Sequence, residues 1–265
     1  MNRAIRVAAV VAVLPAMAFG LNVGVKKDHV GKVKNLALIS VYSNAEIIKS
    51  DSRAGGAVAA LGFLKKKKDE KNNPDAGHFG GKDLVQHALE SFAKELGQVK
   101  GWTVKDPATV VGSAEYQAFV EEYKKEVGPK GLEMTGKFRS TPEGMVAYLF
   151  LNNKDKKKLA QLSDLCGKLG VDSVAIVNLE LSQRSTFVTA GAAGNVIPVA
   201  STTLTIVTQD GNVAVAAMGP KLDSPTPVSM TLDNITDSPA ARQSYKQAIG
   251  KSAEDFRDTL NKELP

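Results

Sequence analysis

The chain has 265 residues, 43% hydrophobic and 23% charged, which is the make-up of a globular protein with enough length for a core of ordinary size. A formal net charge of +6 is too weak to argue for nucleic acid as a partner, and a single cysteine, Cys166, excludes an internal disulfide. With aromatic residues at only 6%, the core must be built mostly from Val, Leu, Ile and Ala.

The first twenty residues read as a secretory signal peptide. "MNRAIR" is basic, "VAAVVAVLPAMAFG" is apolar, and Ala16-x-Ala18 and Ala18-x-Gly20 are small-residue cleavage patterns. The apolar run is shorter than the roughly 20 residues a spanning helix needs. Loss of Arg3 and Arg6 with this leader lowers the formal net charge from +6 to +4. The expected location is therefore periplasmic or secreted. No cysteine lies near the cleavage point, so a lipoprotein is not expected.

The first strand is expected at Val33–Ser43, "VKNLALISVYS", aliphatic on both faces as a doubly covered central strand requires. An irregular region follows from Asn44 to Gly81. It is far longer than the roughly 2–6 residues usual between a strand and a helix, so 21–265 is read as one α/β domain with an insertion at about 44–81. Within it stands "AGGAVAALGFLKKKK", Ala54–Lys68. The apolar part is too short to span a bilayer. As a helix it would place Val58, Leu61 and Leu64 on one face, with Phe63 beside them and Lys65, Lys66, Lys67 and Lys68 following. These eight residues are the candidate interaction segment, suited to a partner groove or an anionic surface; the plain alternative is a mobile loop with a short helix that covers the sheet edge.

Beyond the insertion, Leu84, Ala88, Leu89, Phe92 and Leu96 give a helical stripe, and Gly97 marks its end. "GWTVKDP" reads as a short strand stopped by Pro107. Ser113 caps a helix whose face is Tyr116, Phe119, Val120 and Tyr123. "GLEMTGKFRSTPEG" reads as loop and "MVAYLFL", Met145–Leu151, as a strand. Leu159, Leu162, Cys166 and Leu169 share one face of the next helix, which makes Cys166 a buried structural thiol, and Gly170 closes that helix.

"VDSVAIVNLELSQRSTFVT" is a strand that starts buried on both faces and later alternates. "VASTTLTIVT" and "NVAVAAMG" flank Asp210-Gly211, a hairpin signal in which both central residues are expected at positive φ. A turn at "AGAAGN" before Val196 would complete a three-strand meander. Ser238-Pro239 then starts a final helix with Tyr245, Ile249, Phe256 and Leu260 on its apolar face. The predicted fold class is α/β: a mixed sheet flanked by helices, with a C-terminal antiparallel meander and a final helix.

The strands "VKNLALISV" and "GWTVKDP", the run "KLAQLSDLCGKLGVDSVAIVNLEL" and the pair "TLTIVTQDGNVAV" together resemble a group of exported bacterial envelope domains. The group comprises the curli-secretion lipoprotein CsgG, the lipoprotein activators of peptidoglycan synthases and the amino-terminal domain of TolB. The likeness spans about Val33 to Gly219 and rests on structural motifs. It implies an exported α/β accessory domain and carries over no catalytic residue. Two features depart from the group: no lipobox cysteine is present, and the connection after the first strand is long.

Recognisable chemistry is sparse. Asp83 and His87 are four apart on a helix, with His78 nearby, but the spacing matches no strong metal motif, and neither a metal nor a cofactor is expected. The chain carries no G-x-S-x-G elbow, Walker loop, G-x-G-x-x-G or H-E-x-x-H. The leading expectation is a non-catalytic envelope protein whose partner is another envelope protein or an anionic envelope polymer, without a transmembrane span. A soluble receptor with a small-ligand pocket at the C-terminal strand ends is the second, and a hydrolase is the third.

Overall fold

A computed structural model describes residues 22–45, 48–49, 82–150, 154–187, 194–230 and 238–264. In chain order the elements are β1 (Asn22–Val25), α1 (Lys27–Val30), β2 (Asn35–Asn44), β3 (Ile48–Lys49), α2 (Lys82–Leu96), β4 (Thr103–Val104), α3 (Pro107–Gly112), α4 (Ala114–Phe138), β5 (Arg139–Ser140), α5 (Lys156–Leu169), β6 (Ser173–Phe187), β7 (Gly194–Thr208), β8 (Val213–Met218), β9 (Leu222–Asp223), β10 (Val228–Met230) and α6 (Pro239–Glu263). The strands form one mixed sheet with the order β1-β8-β7-β6-β2-β4. β4, β2 and β6 run parallel, joined by helical crossovers, whereas β6, β7 and β8 are consecutive and antiparallel. This is the expected α/β architecture, with the C-terminal meander and the final helix in place.

Helices cover both faces of the sheet. On one face Phe92 of α2 and Tyr245, Ile249, Phe256 and Leu260 of α6 pack on Leu36, Leu38, Val177 and Leu204. The Phe92 and Phe256 rings meet at 5.9 Å, and each buried ring contributes about 1.5–3 kcal/mol relative to exposure. On the other face α3, α4 and α5 supply Val110, Tyr116, Phe119, Tyr123, Leu162 and Leu165 against Ala37, Ile39, Val174 and Ile176. Alternation along β2 sends Leu36 and Leu38 to one layer and Ala37 and Ile39 to the other. A bulge between Leu38 and Ser40 then reverses the parity, so that Val41 joins the α2/α6 layer and Tyr42 the α4/α5 layer.

The caps read from the sequence are made. The Ser113 and Ser238 hydroxyls accept the N–H groups of Tyr116 and Ala241. Gly170 stands at φ 66°, and the Val171 N–H reaches Cys166 O at 3.0 Å, closing α5 as a Schellman turn.

Several expectations are corrected. The stretch read as loop from Gly131 is helical through Phe138; Gly128 at φ 72° breaks α4, and Pro129 opens its second segment. Met145–Phe150 is not a strand (Leu151 lies outside the described residues). Side chains take the place of a ladder there. The Ser40 hydroxyl donates to Val146 O at 2.8 Å and accepts the Tyr148 N–H at 3.0 Å, the Tyr123 hydroxyl donates to Ala147 O at 3.0 Å, and Lys158 Nζ donates to Leu149 O at 2.6 Å. The β7–β8 hairpin is present, but only Gly211 has positive φ, at 76°. The Gly211 N–H donates to Thr208 O, and Thr208 N–H to Asn212 O, as in a three-residue loop whose glycine closes the turn. Asp106 caps α3, a helix not anticipated, through Thr109 N–H. Within the expected insertion, β2 runs through Asn44, and β3 pairs in parallel with Ser182 and Gln183 of β6.

Candidate functional site

Two edges of the sheet carry polar groups. At the amino edge, where β2 and β6 begin, the Asp172 carboxylate accepts the N–H groups of Lys34 (3.1 Å) and Asn35 (2.8 Å) and the Ser173 hydroxyl (3.0 Å). Its backbone carbonyl accepts Gln209 N–H at 2.7 Å. Asp210 accepts the Thr208 hydroxyl and, at 2.9 Å, the Lys32 ammonium, and these two contacts hold its carboxyl below the ordinary aspartate value. Lys32, Asp172, Thr208, Gln209 and Asp210 line an open cleft of roughly 350 Å³. Both carboxylates are thus spent on joining the α1–β2 connection to β6 and the β7–β8 turn. The chemistry of this cleft is joinery.

Among the described residues, the other groups singled out in the sequence are also committed to internal contacts. Asp83 pairs with Arg242 at 2.6 Å and Lys246 at 3.5 Å, both on α6. His87 Nε2 instead lies 3.2 Å from Lys246 O and 3.3 Å from Ser91 Oγ. Sharing a helix face has therefore not brought Asp83 and His87 to a common ligand position. Among the described residues, no group of three or more His, Cys, Asp and Glu side chains is arranged to hold a metal. Cys166 is fully buried, as its place on the α5 stripe requires, and burial pushes its thiol up to about 12. Val58, Leu61, Phe63, Leu64, Lys65, Lys66, Lys67, Lys68 and His78 lie outside the described residues.

The carboxyl edge, where β2 and β6 end, differs in character. The chain leaves β2 for β4 on one flank with α2 on one face, then returns past β2 to β6 with α3–α5 on the other. Connections that diverge in this way open a crevice at the strand ends, the usual place for a site in a parallel sheet. Here the Asn44 side chain acts as a strand cross-piece: it donates to Leu181 O at 2.8 Å and accepts Leu181 N–H at 2.6 Å. β5 pairs Ser43 and Asn44 with Ser140 and Arg139. That pairing sets the Arg139 guanidinium 5.8 Å over the Tyr42 ring.

On its opposite flank Tyr42 is paired with Asn178, which is paired in turn with Thr203. The Asn178 Oδ1 atom is buried and has no hydrogen-bond partner. Glu180, two residues on and so on the same face, is exposed. Burial raises the Tyr42 hydroxyl pKa, and the Arg139 charge opposes that rise. Tyr42 itself is buried in the layer under α4 and α5. Lys49 and Lys82, the described residues that flank 50–81, belong to β3 and the start of α2, both of which lie at this edge.

Sequence reasoning placed Tyr42 and Asn178 in strands but read Arg139 as loop. The signal that would have found it, the β5–β2 pairing, is tertiary. No protein-family model matches the chain, and no curated protein sequence matches it.

Proposed function

We propose that this is a non-catalytic accessory protein of the cell envelope, exported by residues 1–20 and acting through contacts with an envelope protein or an anionic envelope polymer at the carboxyl edge of its sheet. The observation that carries the reading is that the described chain breaks off after β3 and resumes at α2 at the carboxyl edge, where Arg139 makes no ion pair among the described residues. At the amino edge Asp172, Asp210 and Lys32 serve one another and the backbone. At the carboxyl edge Arg139 lies over Tyr42, which is paired with Asn178, and β3 and the start of α2, which flank 50–81, belong to the same edge.

The likeness of the strand and turn motifs to those of the CsgG, synthase-activator and TolB domains supports the same reading, since those domains are exported. No helix among the described residues is long and apolar enough to cross a membrane.

The test is site-specific photocrosslinking in the native cells. A crosslinker at Glu180 is expected to capture a discrete partner, and one at Gln209 on the amino edge is not. Deletion of 54–68 is expected to abolish capture while thermal unfolding of the remaining domain is retained. Capture that is equal from both edges, or absent from both, defeats the proposal.

A further inference from the structure

The geometry points to a lipid contact on α4: its last segment, 129–138, is a short interfacial helix that seats Met134 and Phe138 in the surface of an anionic phospholipid membrane. This contact goes beyond the partner contact proposed above and does not depend on it. Three observations carry it. First, α4 changes character at its break. Before Gly128 it buries Tyr116, Phe119, Val120 and Tyr123 in the core, whereas none of the described side chains from Pro129 to Phe138 is buried. A helix this short has little stability in water without a face to pack, so the segment gains from a cover.

Second, Met134 and Phe138 are 57% and 53% exposed, and the one other exposed large apolar side chain among the described residues is Met218 of β8. Spaced four apart, Met134 and Phe138 share a helix face and form one apolar spot rather than two scattered ones. Gly131, Leu132 and Thr135 are half-buried and mark the inner side of the segment, while Lys130, Glu133, Met134 and Phe138 are exposed on the outer side. Third, the charge matches. Residues 129–139 carry Lys130, Lys137 and Arg139 against Glu133 alone. Lys124 and Lys157 pair with Glu121 and Glu126, but Lys130 and Arg139 meet no carboxylate among the described residues. Apolar side chains bordered by such cations suit the boundary between headgroups and acyl chains of an anionic leaflet. A protein groove would call for a further apolar anchor one turn earlier, where Lys130 and Gly131 stand instead.

The experiment is flotation of the mature chain with phosphatidylglycerol-rich vesicles and with phosphatidylcholine vesicles. The chain is expected to float with the first and to bind the second at least about tenfold more weakly. Met134→Ser combined with Phe138→Ser is expected to lower binding at least about tenfold, and Lys130→Gln about fivefold. Thermal unfolding should be unchanged in both, because these side chains are exposed. Met218→Ser is expected to bind as the parent does. In a chain lacking 54–68 the double substitution is expected to have the same effect, which separates this contact from the lysines of that segment. The lipid contact is overturned by equal affinity for the two vesicles, by binding to neither, or by a double variant that binds like the parent. It is overturned as well by a chain lacking 54–68 that no longer floats, or by a photocrosslinker at Met134 that captures a discrete protein in place of lipid. None of these results depends on capture from Glu180, so the two readings fail separately.

Discussion

The two edges of the sheet draw on the same kinds of side chain for different ends. At the amino edge Asp172 receives two backbone N–H groups and a hydroxyl, and Asp210 receives a lysine and a threonine. At the carboxyl edge Asn178 keeps a buried acceptor with no donor, and Arg139 rests on an aromatic ring. One edge holds the parallel strands at their starts. Buried polar atoms without a partner occur toward both ends: Asn178 Oδ1 on β6, and His29 Nδ1 on α1 and Trp102 Nε1 next to the start of β4.

The contrast can be broken by substitution. Asp172→Ala removes acceptors from the start of β2 and from Ser173, and is expected to cost about 3 kcal/mol in urea unfolding. A loss under about 1 kcal/mol would mean that water replaces the clasp without penalty. At the other edge, Asn178→Leu removes an acceptor that has no partner and is expected to stabilise by about 1 kcal/mol. Destabilisation there would show that the atom is satisfied in solution and would erase its contrast with Asp172.

Lys32→Met should cost only about 0.5 kcal/mol, because the ion pair with Asp210 is largely exposed. Its pH dependence has a definite sign. The Thr208 hydroxyl and the Lys32 ammonium lower the folded pKa of Asp210 from its ordinary 3.8, so the folded state binds fewer protons than the unfolded one. The contribution is complete above pH 3.8 and is lost as pH falls further below that value. A pH scan of Asp210→Asn against the parent should converge at low pH. The smallest effect belongs to Arg139→Lys, expected within about 0.5 kcal/mol of the parent in stability, since lysine keeps a cation for the Tyr42 ring. Cys166 offers a check on the core between the edges. With its thiol near 12, alkylation at pH 8 should run at least about a hundredfold slower in the folded chain than in urea.

Much of the frame was legible in residue patterns, because β2, α2, α5, β6, the β7–β8 hairpin and α6 carry strong periodicity or a cap. The misreadings share a cause. Gly128-Pro129 looks like a stop from sequence and serves as a break between two helical segments. Met145–Phe150 has the composition of a strand, yet Ser40, Tyr123 and Lys158 satisfy its backbone from other elements. The Asp106-Pro107 signal for α3 was present, but the helix is only six residues long and leaves little periodicity to detect. The candidate site was the least legible part. Tyr42 and Arg139 meet only because a two-residue strand adds to β2, and nothing in the pattern of Asn178 marks its Oδ1 as lacking a donor.

The bulge in β2 decides which side chain stands beside Asn178. Ile39 has no partner in the β2–β6 register, and Tyr42 stands beside Asn178 only because that residue is skipped. In an unbulged strand of the same sequence Val41 would take the place beside Asn178, and Tyr42 would turn into the layer of Phe92 and Phe256. A single inserted residue is thus enough to exchange an aliphatic wall for an aromatic platform without altering any side chain. Strand length, rather than substitution, is the variable that sets which side chain this edge turns to each face.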